Sequence, residues 1–406
     1  MTTFAAPARA TRETDLATWA GLFAAATLLM GVGTPPVPIV AALFATVATL
    51  IVSLRFRAGM LAIVVLAGLG LWLRWSAPYG GWSDVLSVVQ AATHAIQAGE
   101  PPYGRGFAES LPPGAPFAYG PIALVWYLPL LGDPRKMELL VTSLVLVLLA
   151  VRGRPLGLGV YAMLAPLLVT AGDGSNDSSA GLLILVALLV ARRAPTAGAL
   201  LLAIAAAFKP YAAAWLPPLL GYAWTVDGAA GGLKVLVAFA AGSLATWGIA
   251  AWRWGAGAIL KSFRDADALH QVPYYSLAWV TGGLGIPESG WQLLRLGLGA
   301  ITAIGATFTL RRTAGDGDGL VPAIARQTDR SLVVAGAAIF VVTLFTGWWS
   351  TFAYLGAVAP IVCWHLDDWL GLGGSRVRWP GDPVGVLTAA VDRRYPVRRP
   401  WDDARA

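Results

Sequence analysis

The sequence predicts an all-α, polytopic transmembrane bundle of about 12 spans, with exported loops that carry short amphipathic helices. Three observations lead there. The chain is 57% hydrophobic and only 13% charged over 406 residues, with a mean hydropathy of +0.66, far from the usage of soluble domains. Apolar runs recur along most of its length. Basic residues sit in short clusters at the edges of those runs, as bilayer topology requires, and not in a stripe interleaved with aromatics. The net charge of +7 therefore does not point to nucleic acid. Cys363 is the single cysteine and lies in an apolar run, so no internal disulfide can form.

A crossing of ~30 Å needs about 20 apolar residues, fewer where Trp, Arg or Lys reach the interface. By that measure spans fall near 16–32, 37–54, 58–73, 121–132, 137–151, 155–170, 178–191, 196–224, 232–251, 291–310, 331–347 and 351–370. The first follows a polar leader with Arg9, Arg12, Glu13 and Asp15 and reads as a retained signal anchor, not a cleaved signal peptide. Residues 1–57 form an N-terminal hairpin, 58–260 a membrane core with a first exported loop at 74–120, 261–370 an exported loop and the last spans, and 371–406 an Arg-rich cytoplasmic tail suited to anionic lipid heads. With the N-terminus inside, Arg55, Arg57, Arg311, Arg312 and the tail are cytoplasmic. The opening loop, residues 252–275 and the Thr346-Gly347-Trp348-Trp349-Ser350 turn are then outside, where Trp72, Trp75, Trp82, Trp252, Trp254, Trp348 and Trp349 form an aromatic belt.

The middle admits two topologies. Lys209-Pro210 splits 196–224. Either this is one helix kinked at Pro210, which places Arg152, Arg154, Arg192 and Arg193 outside. Or it is two crossings, and 121–132 is a re-entrant piece that does not cross; those arginines then stay inside and Gly172 to Asp177 are exported, as the positive-inside rule prefers. No internal repeat of a transporter kind is visible.

In the first exported loop, Ser83, Ser87, Gln90, His94 and Gln97 share one helical arc, and Val85, Val88, Val89, Ala92, Ala95 and Ile96 the opposite one. This pattern predicts an amphipathic helix on the outer leaflet. Asp84 is in its first turn, ionised beside the helix dipole, or else it or Ser83 is simply the cap. Gly99-Glu100-Pro101-Pro102-Tyr103 ends the helix, and Phe117-Ala118-Tyr119-Gly120-Pro121 returns the chain to the membrane with Pro121 at a first helical position.

In this order, an acidic residue in the first long exported loop, a Gly-x-Pro-x-Tyr-like turn about fifteen residues on, and an aromatic-x-Tyr-x-Pro return resemble the polyprenol-phosphate-mannose-dependent mannosyltransferases of the GT-C superfamily, glycosyltransferase family 87. Gly172-Asp173-Gly174-Ser175-Asn176 resembles that family's Gly-Gln-x-Asn turn, with Asp173 in place of Gln, and Phe208-Lys209-Pro210 its intramembrane Lys-Pro element. The resemblance covers roughly residues 58–225. The family's late Ser-Pro-x-Ser-Trp-x-His pattern is replaced here by Thr346 to Phe352, without a histidine.

The resemblance implies a GT-C-like fold and an inverting transfer of a sugar, mannose by family, from a polyprenyl-phosphate donor to an envelope glycolipid or glycan, at the extracytoplasmic face of a bacterial inner membrane. Such chemistry needs a base for the acceptor hydroxyl and cations or donors for the leaving phosphate at membrane level. Asp84 is the candidate base. Lys209, Lys261, Arg264 and His270 are candidates for the phosphate, with Arg253 behind them. Lys209 in an apolar run is a functional residue by default, or it snorkels to an interface. His270 is equally a solvated loop residue. His94, Tyr103, Tyr119, Asp173, Asn176, Tyr274 and Trp348 are the candidate substrate contacts; Asp173, Asn176 and Asp177 also suit a plain Asx-rich turn, and Trp348 belt anchoring. No cofactor or metal is expected, because the first exported loop has no His-x-x-x-His or Asp-x-Asp and Asp265-x-Asp267 alone is insufficient. No room exists for a nucleotide-binding Rossmann domain, so the donor should arrive through the lipid. A lipid or glycan flippase and an inactive scaffold of an envelope-synthesis complex are the alternatives.

Overall fold

The computed structural model describes residues 59–76, 83–130, 133–163, 165–312 and 328–369. The spans expected at 16–32 and 37–54, the polar leader and the Arg-rich tail lie outside them. The described chain is all-α apart from one two-stranded ribbon.

Helix α1 (Gly59–Ser76) is followed by α2 (Asp84–Gln97), the antiparallel ribbon of β1 (Gly106–Phe107) and β2 (Ala115–Pro116), α3 (Pro121–Tyr127) and α4 (Pro134–Arg152). Next come α5 (Pro155–Met163), α6 (Ala165–Asp173), α7 (Asp177–Ala191) and α8 (Pro195–Phe208). The last part holds α9 (Leu216–Trp254), α10 (Ala256–Asp267), α11 (Leu277–Val280), α12 (Glu288–Arg312), α13 (Thr328–Phe345) and α14 (Leu355–Trp369).

Two apolar clusters hold these together. In one, Ile63 and Leu66 of α1 pack with Val145 and Leu149 of α4 and with Leu158 and Ala162 of α5. Short α5 is closed at both ends by charge. The Asp367 carboxylate accepts from the N–H groups of Leu156 (3.1 Å) and Gly157 (2.8 Å), and the buried Arg74 guanidinium donates to the carbonyls of Tyr161 (2.8 Å) and Ala162 (3.2 Å). Each charge thus meets the helix end whose dipole it complements. The larger cluster centres on α8, which lies between α7, α9 and α3 and buries Leu202, Ala205 and Phe208.

Helix α2 forms where expected, with Ser83 as N-cap and Gly99 at positive φ just past its end. Its environment differs from the expectation of a helix lying free on the outer leaflet. The ribbon folds over it, so Ser87, from the predicted polar arc, is buried and its hydroxyl accepts from Leu111 N–H at 3.0 Å. Of that arc, His94 and Gln97 at the far end are exposed.

The chain at Lys209 is extended (φ −144°, ψ 116°) and leads into a 3₁₀ turn, Pro210–Trp215, so the predicted 196–224 helix is fully interrupted there and not merely kinked. A second break follows. At Asp227–Gly228 helical angles are lost, and Gly228 has φ +68°. A Cβ placed on Gly232 would lie 3.6 Å from Leu220, whereas twelve residues of straight helix span ~18 Å. Helix α9 is therefore a hairpin of two arms. Its first arm is tied to α12, with Thr225 Oγ1 donating to Leu310 O (2.7 Å) and Thr307 Oγ1 to Pro217 O (3.0 Å).

Among the described residues two helices are long and apolar enough to cross a membrane, one within Pro210–Trp254 and the other Glu288–Leu310. Six further apolar helices have 10–17 residues, so length and composition alone identify two crossings among the described residues, where ten of the expected spans fall. Both long helices expose large apolar side chains, including Leu236, Val237, Leu244 and Ile249 on the second arm of α9 and Leu293, Leu296, Ile301 and Ile304 on α12.

Helix α3 starts against the end of α8. Gly120 N–H donates to Phe208 O at 3.1 Å, and a Cβ on Gly120 would sit 1.9 Å from Ala207 O. Only glycine permits that approach. Gly120→Ala is expected to lower stability by about 1–3 kcal/mol through overpacking, read as a fall in thermal unfolding temperature; an unchanged value would contradict this backbone contact.

Candidate functional site

Three chain ends converge beside Gly120. The first is the start of α2. Ser83 both caps α2, accepting from Leu86 N–H at 3.1 Å, and ties it to the next element, donating from Oγ to Asp173 O at 2.8 Å. With Ser83 as the cap, Asp84 is the first helical residue. Its Oδ1 accepts from Val85 N–H at 2.9 Å, and the residue remains exposed.

The second is the turn from Asp173 to Asp177, between α6 and α7. Gly174 takes φ +83°, and Asp173 Oδ1 accepts from Ser175 N–H at 2.8 Å, the Asx turn its composition suggests. Asn176 occupies the N-cap position of α7 yet makes no side-chain cap bond. Its Oδ1 instead accepts from Lys209 Nζ at 2.7 Å, and Asp177 Oδ1 does the same at 2.7 Å.

The third is the end of α8, where Lys209 is the C-cap. A cation at a helix C-terminus faces a carboxylate at a helix N-terminus, so both dipoles favour the Lys209–Asp177 ion pair. Three tyrosine rings surround the ammonium: Tyr211 at 5.1 Å, Tyr354 at 5.3 Å and Tyr119 at 5.6 Å from Nζ to centroid. Tyr211 OH also donates to Asp177 Oδ1. Lys209 is 7% exposed, so it does not snorkel to a surface.

Behind this pair lies a second buried carboxylate. Glu138 of α4 accepts from Tyr127 OH (2.8 Å), Ser179 N–H (3.0 Å) and Ser179 Oγ, while Trp126 Nε1 donates to Ser179 Oγ at 3.0 Å. These bonds lock α4 to the first turn of α7. Asn176 Nδ2, Ser178 Oγ and Ser350 Oγ are buried without a hydrogen-bond partner among the described residues.

Asp84 interacts electrostatically with Lys209, His270 and Asp177, and with Tyr119, Tyr354 and Asp173. Its surface is open, yet protein encloses it closely enough that desolvation, the largest effect, raises its carboxyl above the ordinary 3.8. The Val85 N–H, Lys209 and His270 oppose that rise.

His270 arrives from the loop after α10, and that loop is zipped to the turn before α14. Tyr274 N–H donates to Trp348 O (3.3 Å), Ser350 N–H to Tyr274 O (2.8 Å), Ser276 Oγ to Trp348 O (2.7 Å) and Trp348 Nε1 to His270 O (3.1 Å). The imidazole stacks on Trp349 with centroids 4.0 Å apart. The turn that lacks a histidine in sequence thus carries one on its own indole. Desolvation lowers the His270 pKa below 6.5, which favours the neutral ring.

The other predicted positions fall apart from this cluster. His94 is ten residues along α2 from Asp84, ~15 Å away, and is exposed. Tyr103 is a core residue: its ring packs on Phe117 (5.3 Å) and Trp254 (5.6 Å), and its hydroxyl donates to Tyr119 O at 3.0 Å, so it positions Tyr119 from behind. Lys261 is exposed and paired with Asp265 on α10, and Arg264 and Arg253 are exposed. Tyr274 is 42% exposed, at the rim. Tyr211 and Tyr354 were not singled out by the sequence; neither lies in a recognisable pattern. No cluster of His, Cys, Asp and Glu suited to a metal occurs among the described residues. No family model, curated protein or solved structure matches this chain.

Proposed function

We propose that this protein is a multi-pass membrane glycosyltransferase that moves a sugar from a polyprenyl-phosphate donor to an envelope glycolipid or glycan, with Asp84 as general base. The observation that carries it is the placement of Asp84: an open carboxylate at a helix start, enclosed by protein and beside the buried Lys209–Asp177 pair. In the reaction Asp84 takes the proton of the acceptor hydroxyl as its oxygen bonds to the anomeric carbon. The bond from that carbon to the phosphate oxygen breaks, polyprenyl phosphate leaves with the electron pair, and the anomeric centre inverts. Neutral His270 is placed to donate one hydrogen bond to the phosphate.

The bonds between Ser83 and Asp173 require both segments to lie on one side of the bilayer. That favours the re-entrant topology. Helix α3 with its 3₁₀ extension to Leu130 rises only ~15 Å, half the hydrocarbon core. If it enters and returns, and each arm of α9 crosses, the count is 12 with the expected spans at 16–32 and 37–54. Arg152, Arg154, Arg192 and Arg193 are then cytoplasmic, and Asp84, Asp173–Asp177, Lys209, His270 and Trp348–Ser350 all face outward. The exposed leucines of α9 and α12 meet lipid, where an apolar surface of that size belongs.

The test is transfer of labelled mannose from a synthetic polyprenyl-phosphate donor by the full chain in reconstituted vesicles. Donor turnover is expected. Vectorial movement of the lipid without transfer would instead establish a flippase, and neither would leave the scaffold.

A further inference from the structure

Two of the cations that the sequence offered for the donor phosphate are committed elsewhere. Lys209 is already neutralised by Asp177 and held by Asn176, and Lys261 is paired with Asp265. Arg295 was not among them. It lies about two turns, ~10 Å, inside the outer end of α12, a helix of membrane length. It is half-buried and, among the described residues, makes no hydrogen bond or ion pair. A cation at that depth with no partner is costly unless something anionic meets it.

Its surroundings specify what that is. The side chain runs over Gly347 so closely that a Cβ there would lie 2.9 Å from Arg295 Cδ and 3.5 Å from NH1. Gly347 belongs to the turn that carries Trp348 and Trp349, and Tyr354, just beyond, interacts electrostatically with both Arg295 and Asp84. Leu293 and Leu296, 71% and 62% exposed, form the apolar outer face of the same helix, ~160° and ~100° round α12 from Arg295. A lipid anion held here can pass its tail round α12 to that apolar outer face, with the Asp84 carboxylate across Tyr354 from it.

From this juxtaposition we infer that Arg295 binds the phosphate of the lipid-borne donor, with the isoprenoid chain lying along the Leu293–Leu296 face of α12. The inference rests on the glycosyltransferase reading for the identity of the lipid. Gly347 is the positioning residue, since a side chain there would push the flexible guanidinium off its path.

The test is binding of farnesyl phosphate, phosphatidylglycerol and inorganic phosphate to the full chain in phosphatidylcholine nanodiscs. Arg295→Gln is expected to weaken farnesyl phosphate about 10- to 100-fold, the value of a charged hydrogen bond. Arg295→Lys should fall between, having the charge without the fork. Gly347→Val should match Arg295→Gln without removing any charge, provided all variants elute and unfold as the wild type does. Farnesyl phosphate binding by Arg295→Gln within about threefold of wild type, well under that charged bond, would overturn the inference. So would an equal loss for phosphatidylglycerol or inorganic phosphate, which would mark a general anion site. Wild type that binds farnesyl phosphate through Arg295 but transfers no sugar would sink the enzymatic reading alone. Transfer with an unchanged donor KM in Arg295→Gln would sink this inference alone.

Discussion

Asp84→Asn is expected to lower sugar transfer by about 100-fold or more, the usual value of a general base, without lowering the thermal unfolding temperature. The two halves of this result separate a catalytic carboxylate from a structural one. A capping role would predict the opposite, a loss of stability with modest loss of rate, but Ser83 already caps α2. Because desolvation raises the Asp84 pKa above 3.8, its stabilising contribution is present below the unfolded value and lost as pH rises through the folded one. At neutral pH the ionised group therefore strains the fold, and the amide relieves it. Activity has the reverse dependence: as pH falls through the raised pKa the base is protonated, so wild-type turnover should show an acid limb lying above 3.8. A limb at or below 3.8 would contradict the enclosure of Asp84.

Lys209→Met is expected to destabilise by about 3–5 kcal/mol, because it strands the Asp177 carboxylate, only 2% exposed at its side chain, without its cation. Asp177→Leu should cost a similar amount. The double variant should recover most of the loss, since an apolar pair of similar volume often replaces a buried ion pair at little cost. Thermal or denaturant unfolding of all four proteins in one detergent measures the coupling. Additive losses would show that the pair is not the unit that joins α7 to α8.

How much of this was legible from sequence follows from the range of the interactions. Helix α2, its capping serine and its stop at Gly99 are local matters, and Ser83 to Gly99 specify them within one turn of each residue. A disturbance at Lys209-Pro210 was legible too, since proline disfavours helix at the residue before it, but whether it was a kink or a full interruption was left open by the sequence. What Lys209 does there was not legible. Its partners Asn176 and Asp177 looked like an Asx turn, and nothing local distinguishes a side chain that caps its own helix from one turned to a lysine over thirty residues away. The burial of Ser87 depends on a ribbon that folds back over α2. The reversal at Asp227–Gly228 was visible only as a gap between spans, because glycine at positive φ leaves no mark beyond the residue itself. Arg295 passed unnoticed since one arginine in an apolar helix has no pattern; its relation to Gly347 exists only in three dimensions.

The central claim is that the open carboxylate of Asp84 and a lipid-linked sugar share one outward-facing site. A structure of the full chain in nanodiscs with a non-hydrolysable polyprenyl phosphonate sugar measures this directly. The anomeric carbon should lie within one acceptor hydroxyl of Asp84, beside the His270–Trp349 stack. A sugar bound elsewhere, or at this site with Asp84 turned away from it, would contradict the account.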